Sequence, residues 1–159
     1  MSARSLSLAF LLAIGLAGPA FADSTVKVEL WNKGGMMRGA GPQFGMGMHA
    51  NRRMAMMGIE IDKSTVPAGK ITFDVRNISK DMIHEMLVVP VKDENATLPY
   101  IAGENRVDEE AAGDLGEVAD LDAGKSGSLT LDLKPGIYVL FCNIPGHFMA
   151  GMWTTLTVK

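Results

Sequence analysis

Short runs of β-forming residues, separated by turn sequences, recur along the chain between residues 25 and 158. The first run alternates Val26, Val28 and Leu30 with charged residues, which is typical of a strand with one buried face. Further runs follow at residues 59–61, 71–77, 86–91, 115–118, 128–133, 137–142 and 152–158. Seven or eight strands in a chain of 159 residues predict a single all-β domain, a Greek-key sandwich of two sheets.

Turn sequences separate these runs. Residues 66–69 (VPAG) and 122–125 (DAGK) each precede a strand, and residues 134–136 (KPG) predict a tight hairpin between two strands. An acidic stretch lies between residues 92 and 113. Its middle, residues 107–112, would allow one or two helical turns, but we expect a solvated crossover because charged residues dominate it.

The first 22 residues have the pattern of a secretory signal. Arg4 precedes the apolar stretch 6–16, and Ala20-Phe21-Ala22 has the small residues of a cleavage site. A membrane anchor is the alternative, but a span needs about 20 apolar residues and this run ends at Gly18-Pro19. We therefore expect a periplasmic protein, residues 23–159, without a membrane span.

The charge of the chain excludes one class of partner. Lys and Arg total 15 against 18 Asp and Glu, a formal net charge of −3. Nucleic acids and anionic lipid surfaces attract basic proteins, so we expect no nucleic-acid partner.

Three metal-donor side chains lie close together near the end of the sequence. Cys142, His147 and Met152 form a Cys-x4-His-x4-Met pattern between two predicted strands. A thiolate, an imidazole and a thioether are soft donors that suit copper better than hard cations. Cys142 is the only cysteine of a chain that carries an export pattern, so it has no disulfide partner within the molecule; an inert buried thiol is the alternative.

A trigonal copper site needs a second imidazole. The chain has three histidines, and His49 lies in a different kind of segment, which leaves His84 at the start of a predicted strand. A zinc site built from His84, Cys142 and His147 is the alternative, but zinc would leave the Met152 thioether unused.

The pattern and its β context resemble the cupredoxins, small exported type 1 copper proteins, and the loop spacing is similar to that of their rusticyanin and auracyanin branch. The resemblance covers about residues 58–159, with 25–31 as a first strand. It implies one copper ion cycling between Cu(I) and Cu(II), with His84, Cys142 and His147 as equatorial ligands and Met152 as the axial ligand. It also implies that the His147 edge lies near the surface as the electron port.

Two positions depart from the family pattern. Glu85 follows the first histidine, where many relatives carry a residue that hydrogen-bonds the ligand loops together. A carboxylate there would alter the reduction potential or make it depend on pH, unless it faces solvent. Met149 is a rival for the axial position, although packing against the loop fits its spacing better. We expect Glu85 and Asn143 to lie directly behind the ligands.

Residues 33–57 predict a flexible Met-rich insertion after the first strand, with no helical or alternating periodicity. Thioethers favour Cu(I), so this insertion suggests auxiliary copper contacts. The residues are Met36, Met37, Met46, Met48, His49, Met54, Met56 and Met57. Three arginines in the insertion oppose cation binding, and a linker or a docking surface for a partner protein is the alternative.

The resemblance extends to periplasmic cupredoxins associated with copper tolerance, which implies a role in copper handling. A dedicated electron shuttle between larger redox complexes would use the same site. A copper oxidase or nitrite reductase would need a further copper cluster, for which only His49 remains, so we expect no enzyme. The redox or copper-transport partner protein is not indicated by any feature of the sequence.

Overall fold

The computed structural model describes residues 23–33, 56–93 and 96–159, which form two facing β-sheets. The first sheet contains β1 (Ser24–Asn32), β2 (Met57–Ile61), β4 (Gly69–Asn77) and β9 (Ser126–Leu133). Their spatial order is β2, β1, β4, β9, and β1 is parallel to β4 and antiparallel to β2. The predicted signal sequence and most of the Met-rich segment lie outside the described residues.

The second sheet has five strands. In spatial order they are β3 (Thr65–Val66), β11 (Trp153–Val158), β10 (Gly136–Phe141), β5 (His84–Val91) and β8 (Glu117–Leu121). The antiparallel neighbours β5, β10 and β11 occupy its centre. The predicted all-β sandwich is confirmed, and the predicted strands are present with ends that differ by a few residues.

The main core lies between the two sheets. In β1 the residues Val26, Val28 and Leu30 point inward and are at most 1% exposed, as their alternation predicts. They meet Met86 and Leu140 of the central strands of the other sheet. Burial of this apolar surface is the main force that holds the two sheets together.

The segment from residue 96 to residue 113, hereafter the covering segment, packs on the outer face of the second sheet. It contains the short strands β6 (Tyr100–Ile101) and β7 (Arg106–Val107), which pair with each other, and the helix α1 (Glu109–Ala112). A second core joins it to the sheet; its buried members are Leu87, Val89, Leu98, Val107, Val139, Phe141, Phe148 and Trp153. Strands β5 and β10 are therefore covered on both faces.

The expectation of a solvated crossover in this region is wrong. The Asp108 side chain accepts a hydrogen bond from the Ala111 N–H (3.0 Å), and Gly113 ends α1 in the left-handed conformation (φ 73°). These caps satisfy backbone groups at both ends of a single helical turn. Leu98 and Val107 supply the apolar contacts that hold the segment against the sheet.

Two further expectations need correction. Residues 134–136 do not form a hairpin, because β9 and β10 belong to different sheets and the turn carries the chain across the sandwich. The regular structure resumes at Met57, one residue earlier than expected. Met57 pairs with Asn32 and is only 2% exposed, so its thioether belongs to the core rather than to an exposed insertion.

Candidate metal centre

Three side chains from distant parts of the sequence meet at one end of the sandwich. His84 is the first residue of β5, Cys142 directly follows β10, and His147 lies in the connection to β11. The potential ligand atoms of all three lie within 4.8 Å of one another, and all three residues are buried. The predicted convergence of His84, Cys142 and His147 is present in the structure.

The distances within this group are short. The Nδ1 atom of His147 lies 3.3 Å from the Cys142 Sγ and 3.3 Å from the Nδ1 of His84. The two imidazole rings meet edge to face, with centroids 5.1 Å apart and an interplanar angle of 62°. Both Nδ1 atoms and the sulfur therefore border the same small volume, which the geometry of a shared metal ion requires.

Residues 142–152, hereafter the Cys–Met loop, are folded by their own hydrogen bonds. The His147 N–H donates to the Ile144 carbonyl oxygen (2.9 Å), and the Ala150 N–H donates to the Gly146 carbonyl oxygen (3.0 Å). Gly146 has a φ of +87°, a conformation that suits glycine. This tight turn, which the Pro-Gly pair predicts, returns His147 toward the sulfur of Cys142.

Met152 reaches the site because the strand ladder continues beyond the strands themselves. The Cys142 N–H donates to the Met152 carbonyl oxygen (3.0 Å), and the Met152 N–H donates to the His147 carbonyl oxygen (3.1 Å). Met152 is fully buried beside the main core. Met149 instead packs, partly buried, against the second core.

The three donor groups are neutral in the protein without metal. Burial, and then the neighbouring His147, lower the pKa of His84 to about 4. Burial also lowers the pKa of His147. Burial raises the pKa of the Cys142 thiol to about 12, although the backbone N–H groups of Glu85 and Ile144 act in the opposite direction by hydrogen bonding to the sulfur. A cation that binds here meets two unprotonated imidazoles and displaces one thiol proton.

Glu85 is half-buried and touches the Cys–Met loop. Its carboxylate accepts a hydrogen bond from the backbone N–H of Asn143, which lowers its pKa. Burial is the larger effect, and with the negative charge of Glu117 it raises the pKa of Glu85 to about 7. The carboxylate therefore connects the segment after His84 to the segment after Cys142.

Asn143 is held by the covering segment. Its Oδ1 accepts a hydrogen bond from the Val107 N–H (2.7 Å), and its Nδ2 donates to the Val107 carbonyl oxygen (3.0 Å) and to Glu109 Oε1 (2.7 Å). Asn143 is 1% exposed, and these bonds satisfy its amide.

Sequence reasoning missed the covering segment and the N–H of Glu85 as neighbours of the site. The capping pattern of Asp108 and Gly113 was the available signal for local structure in this segment. Nothing in the sequence indicates that it contacts residues 143–148, because those contacts join parts of the chain about 40 residues apart. Of the predicted auxiliary copper contacts, Met56 is 42% exposed and Met57 is buried in the main core. The others, including His49, lie outside the described residues.

The profile of a family described as copper binding proteins, plastocyanin/azurin family, matches residues 46–159. Auracyanin-B of Chloroflexus aurantiacus is 37% identical over 82 residues, which are 47% of this chain and 35% of that protein. The chain thus spans about a third of the length of this curated relative.

Solved structures share the fold. Auracyanin B is similar with a TM-score of 0.50 and 24% identity, covering 86% of this chain and 88% of that chain. Rusticyanin from Thiobacillus ferrooxidans is similar with a TM-score of 0.54 and 18% identity, covering 85% of this chain and 77% of that chain. At these identities the similarity shows the fold alone.

The cofactor of the family is copper, and the buried group of one thiol and two imidazoles, with Met152 beside it, fits a copper ion. In the part of the chain that the structure describes, no helix is long and apolar enough to cross a membrane. Since the family match extends over more than half of the chain and includes the whole metal centre, the protein belongs to the plastocyanin/azurin family of copper-binding proteins, the cupredoxins.

Proposed function

We propose that the protein is a mononuclear type 1 copper protein that transfers single electrons. His84, Cys142, His147 and Met152 would hold the copper ion. The observation that carries the proposal is the mutual approach of three buried, metal-free donors to within 4.8 Å. A shared cation explains why both imidazoles and the thiol converge on one point, with the two Nδ1 atoms 3.3 Å apart.

The protein itself limits the movement that accompanies electron transfer. Copper supplies a one-electron Cu(I)/Cu(II) couple when it is bound. The hydrogen bonds of the Cys–Met loop and the pairing of β5 with β10 fix the donors before metal binds. Donors that are held in one place rearrange little between two oxidation states, which favours fast transfer. The N–H groups directed at the Cys142 sulfur reduce the electron density that it offers.

His147 is the route for electrons to the surface. His147 is 7% exposed, whereas His84 is fully buried. Ile144, Pro145 and Ala150 lie on the same loop and are partly or fully exposed. An apolar rim around a slightly exposed ligand allows a partner protein to approach closely without a charge barrier.

We also propose a periplasmic location and a role in copper handling, with residues 1–22 as a cleaved export signal and 23–159 as one domain. The support is the Met-rich composition of residues 36–54, which supplies thioethers beside a copper domain. The Lys33 N–H donates to the Met56 carbonyl oxygen (2.9 Å), so both ends of this segment leave the domain at one place. Met57 is buried and is not part of this proposal.

An electron shuttle without a role in copper tolerance is the second candidate, because the same site would serve it. Deletion of residues 36–54 separates the two roles, since the deletion leaves the buried Met57 and strand β2 intact. We expect the deletion strain to lose copper tolerance while the purified variant keeps its electron-transfer rate. Unchanged tolerance would favour the shuttle.

The metal centre itself is tested by optical absorption of the copper-loaded protein. We expect an intense thiolate-to-Cu(II) band at about 600 nm, with added intensity at about 450 nm if the site is green. Cys142→Ser should remove the band and leave the fold, because serine is close in size to the buried cysteine. A colourless copper-loaded protein, or a band that survives Cys142→Ser, would refute the proposal.

A further inference from the structure

The covering segment is attached to the strand that carries His84. Leu98 and Val107 pack in the second core against Leu87 of β5 and Phe141 of β10. Both sheet residues are fully buried, so the segment is fixed to the sheet by a dry apolar contact. Any group on the covering segment therefore keeps a constant position relative to β5 and His84.

The same segment holds the Cys–Met loop through Asn143. The amide of Asn143 makes a two-way pair with the backbone of Val107, at 2.7 and 3.0 Å, and donates to Glu109 at 2.7 Å. Asn143 and Val107 are both buried, whereas Glu109 is partly exposed. Buried hydrogen bonds of this kind are costly to break, because the freed groups have no water to replace their partner.

A second attachment is made by Asn105. Its backbone has a φ of 57°, which is uncommon for a residue other than glycine. In this conformation the Asn105 carbonyl oxygen accepts a hydrogen bond from the Gly146 N–H (2.7 Å), one residue before His147. The Asn105 side chain accepts a hydrogen bond from the Tyr100 hydroxyl group and lies against Gly146, where its Nδ2 would be 3.0 Å from an added Cβ. Asparagine tolerates this left-handed conformation better than most residues that carry a side chain.

A third contact lies directly after His147. Phe148 is 5% exposed and packs edge to face on Phe141, with ring centroids 5.6 Å apart. Its ring also faces Tyr100 of the covering segment at 6.5 Å. Phe148 therefore joins the loop to the sheet and to the covering segment in one apolar cluster.

From these contacts we infer that the covering segment is a clamp that sets the position of His147 relative to His84, with Asn143 and Asn105 as its positioning residues. The hydrogen bonds inside the Cys–Met loop define its shape, and the Glu85 carboxylate of β5 accepts a hydrogen bond from the Asn143 N–H. The clamp adds the attachments at the Asn143 side chain, Gly146 and Phe148. Loss of the clamp frees the imidazole of His147 while the sandwich stays folded. The consequence of the clamp for electron transfer rests on the proposed function. Its effect on the structure of the metal-free protein does not.

The test is a reversal of hydrogen-bond polarity between residues 143 and 109. Asn143→Asp places two carboxylates at the present 2.7 Å contact and removes a donor, so it should open the clamp. Glu109→Gln alone keeps an acceptor oxygen for Asn143 and should change little. In the double variant the amide of residue 109 donates to the carboxylate of residue 143, which should restore this contact. Recovery is partial, because the Val107 carbonyl oxygen still lacks the donor that Asn143 supplies. Ile71→Val is the control for general destabilisation, because Ile71 is fully buried in the main core on β4 of the other sheet.

Amide hydrogen exchange of the metal-free proteins gives the first measurement. We expect the Gly146 and His147 amides to exchange about tenfold or more faster in Asn143→Asp, and to recover part of their protection in the double variant. Ile71→Val should not accelerate these two amides selectively. Equal exchange in Asn143→Asp and wild type, a double variant that recovers no protection, or the same selective effect from Ile71→Val would each overturn the clamp.

The absorption spectrum of the copper-loaded proteins gives the second measurement. We expect the ratio of the bands at about 450 and 600 nm to change in Asn143→Asp and to move back toward the wild-type value in the double variant, because the ratio reports ligand geometry. An unchanged ratio in Asn143→Asp would overturn the role in positioning. If wild type itself shows no thiolate band, the proposed function fails, while amide exchange still decides whether the clamp exists.

Discussion

The Nδ1 atoms of His84 and His147 lie 3.3 Å apart, although the two residues are separated by 63 positions in the sequence. Burial lowers the pKa of both rings, so both are neutral at pH 7. The fold therefore holds two unprotonated donors against each other and against the Cys142 sulfur before any metal arrives. Such preorganisation lowers the cost of ordering the ligands when copper binds.

The stability of the metal-free protein should depend on the charge of Glu85. Its pKa is raised from 4.5 to about 7, first by burial and then by Glu117, so the folded state binds a proton more tightly than the unfolded state. The stabilisation of the folded state by this tighter proton binding is fully present below pH 4.5 and is lost as the pH rises to about 7. Glu85→Gln cannot ionise, so it should be more stable than wild type at pH 8, by about 1–3 kcal/mol in the free energy of unfolding.

Urea denaturation from pH 4 to pH 8 checks this prediction. The lowered pKa of His84 also makes the stability depend on pH. This dependence is the same in wild type and Glu85→Gln, so it cancels when their free energies of unfolding are subtracted. Glu60→Gln, on the exposed side of β2, changes the net charge equally and is the control. A difference between Glu85→Gln and wild type that stays constant across the pH range would contradict the assignment.

Copper binding should release the thiol proton of Cys142. The pKa of this thiol is raised to about 12, whereas Glu85, with a pKa of about 7, is ionised at pH 8.5. Titration with Cu(I) at pH 8.5 should therefore release about one proton per protein. Calorimetry in two buffers of different ionisation enthalpy measures this number. Release of no proton by wild type, or of one proton by Cys142→Ser, would show that the thiol is not a ligand.

Replacement of Met152 by leucine should separate packing from ligation. Met152 is fully buried, and a swap that keeps the volume usually costs less than about 1.5 kcal/mol in the free energy of unfolding. A thioether is a soft donor, but Cu(I) tolerates a site with three ligands better than Cu(II) does, so removal of the fourth ligand should raise the reduction potential. Leu156→Met, a swap of the same kind further along β11, should leave the potential unchanged. Equal potentials in Met152→Leu and wild type would remove Met152 from the ligand set.

Gly58 should be intolerant of any side chain. An added Cβ would lie 2.6 Å from Cζ2 and 2.9 Å from Cε2 of the Trp31 indole ring, which covers Gly58 from the neighbouring strand. Gly58→Ala should therefore destabilise the metal-free protein by about 1–3 kcal/mol. At Gly103 an added Cβ has no neighbour within 4 Å, so Gly103→Ala is the matched control. Thermal unfolding of both variants measures the difference, and equal melting temperatures would show that the Trp31 ring moves aside at no cost.

The sequence alone was sufficient for the sandwich and for three of the metal donors. Alternation in β1 identifies its buried face, because successive side chains of a strand point in opposite directions. Cys142, His147 and Met152 lie within 11 residues of each other, so one turn and one strand pairing bring them together. Local periodicity and local spacing can be read directly from a sequence.

The tertiary structure decided everything that depends on contacts between distant segments. Residues 134–136 have the composition of a hairpin, yet whether a turn joins neighbours or crosses between sheets depends on which strands pair. The acidic composition of residues 104–110 led to the prediction of a solvated crossover, whereas the buried Leu98 and Val107 attach the covering segment to the sheet. Strand pairing placed His84 beside Cys142 and Asn143 beside Val107, because long-range packing energy, rather than local propensity, selects those partners.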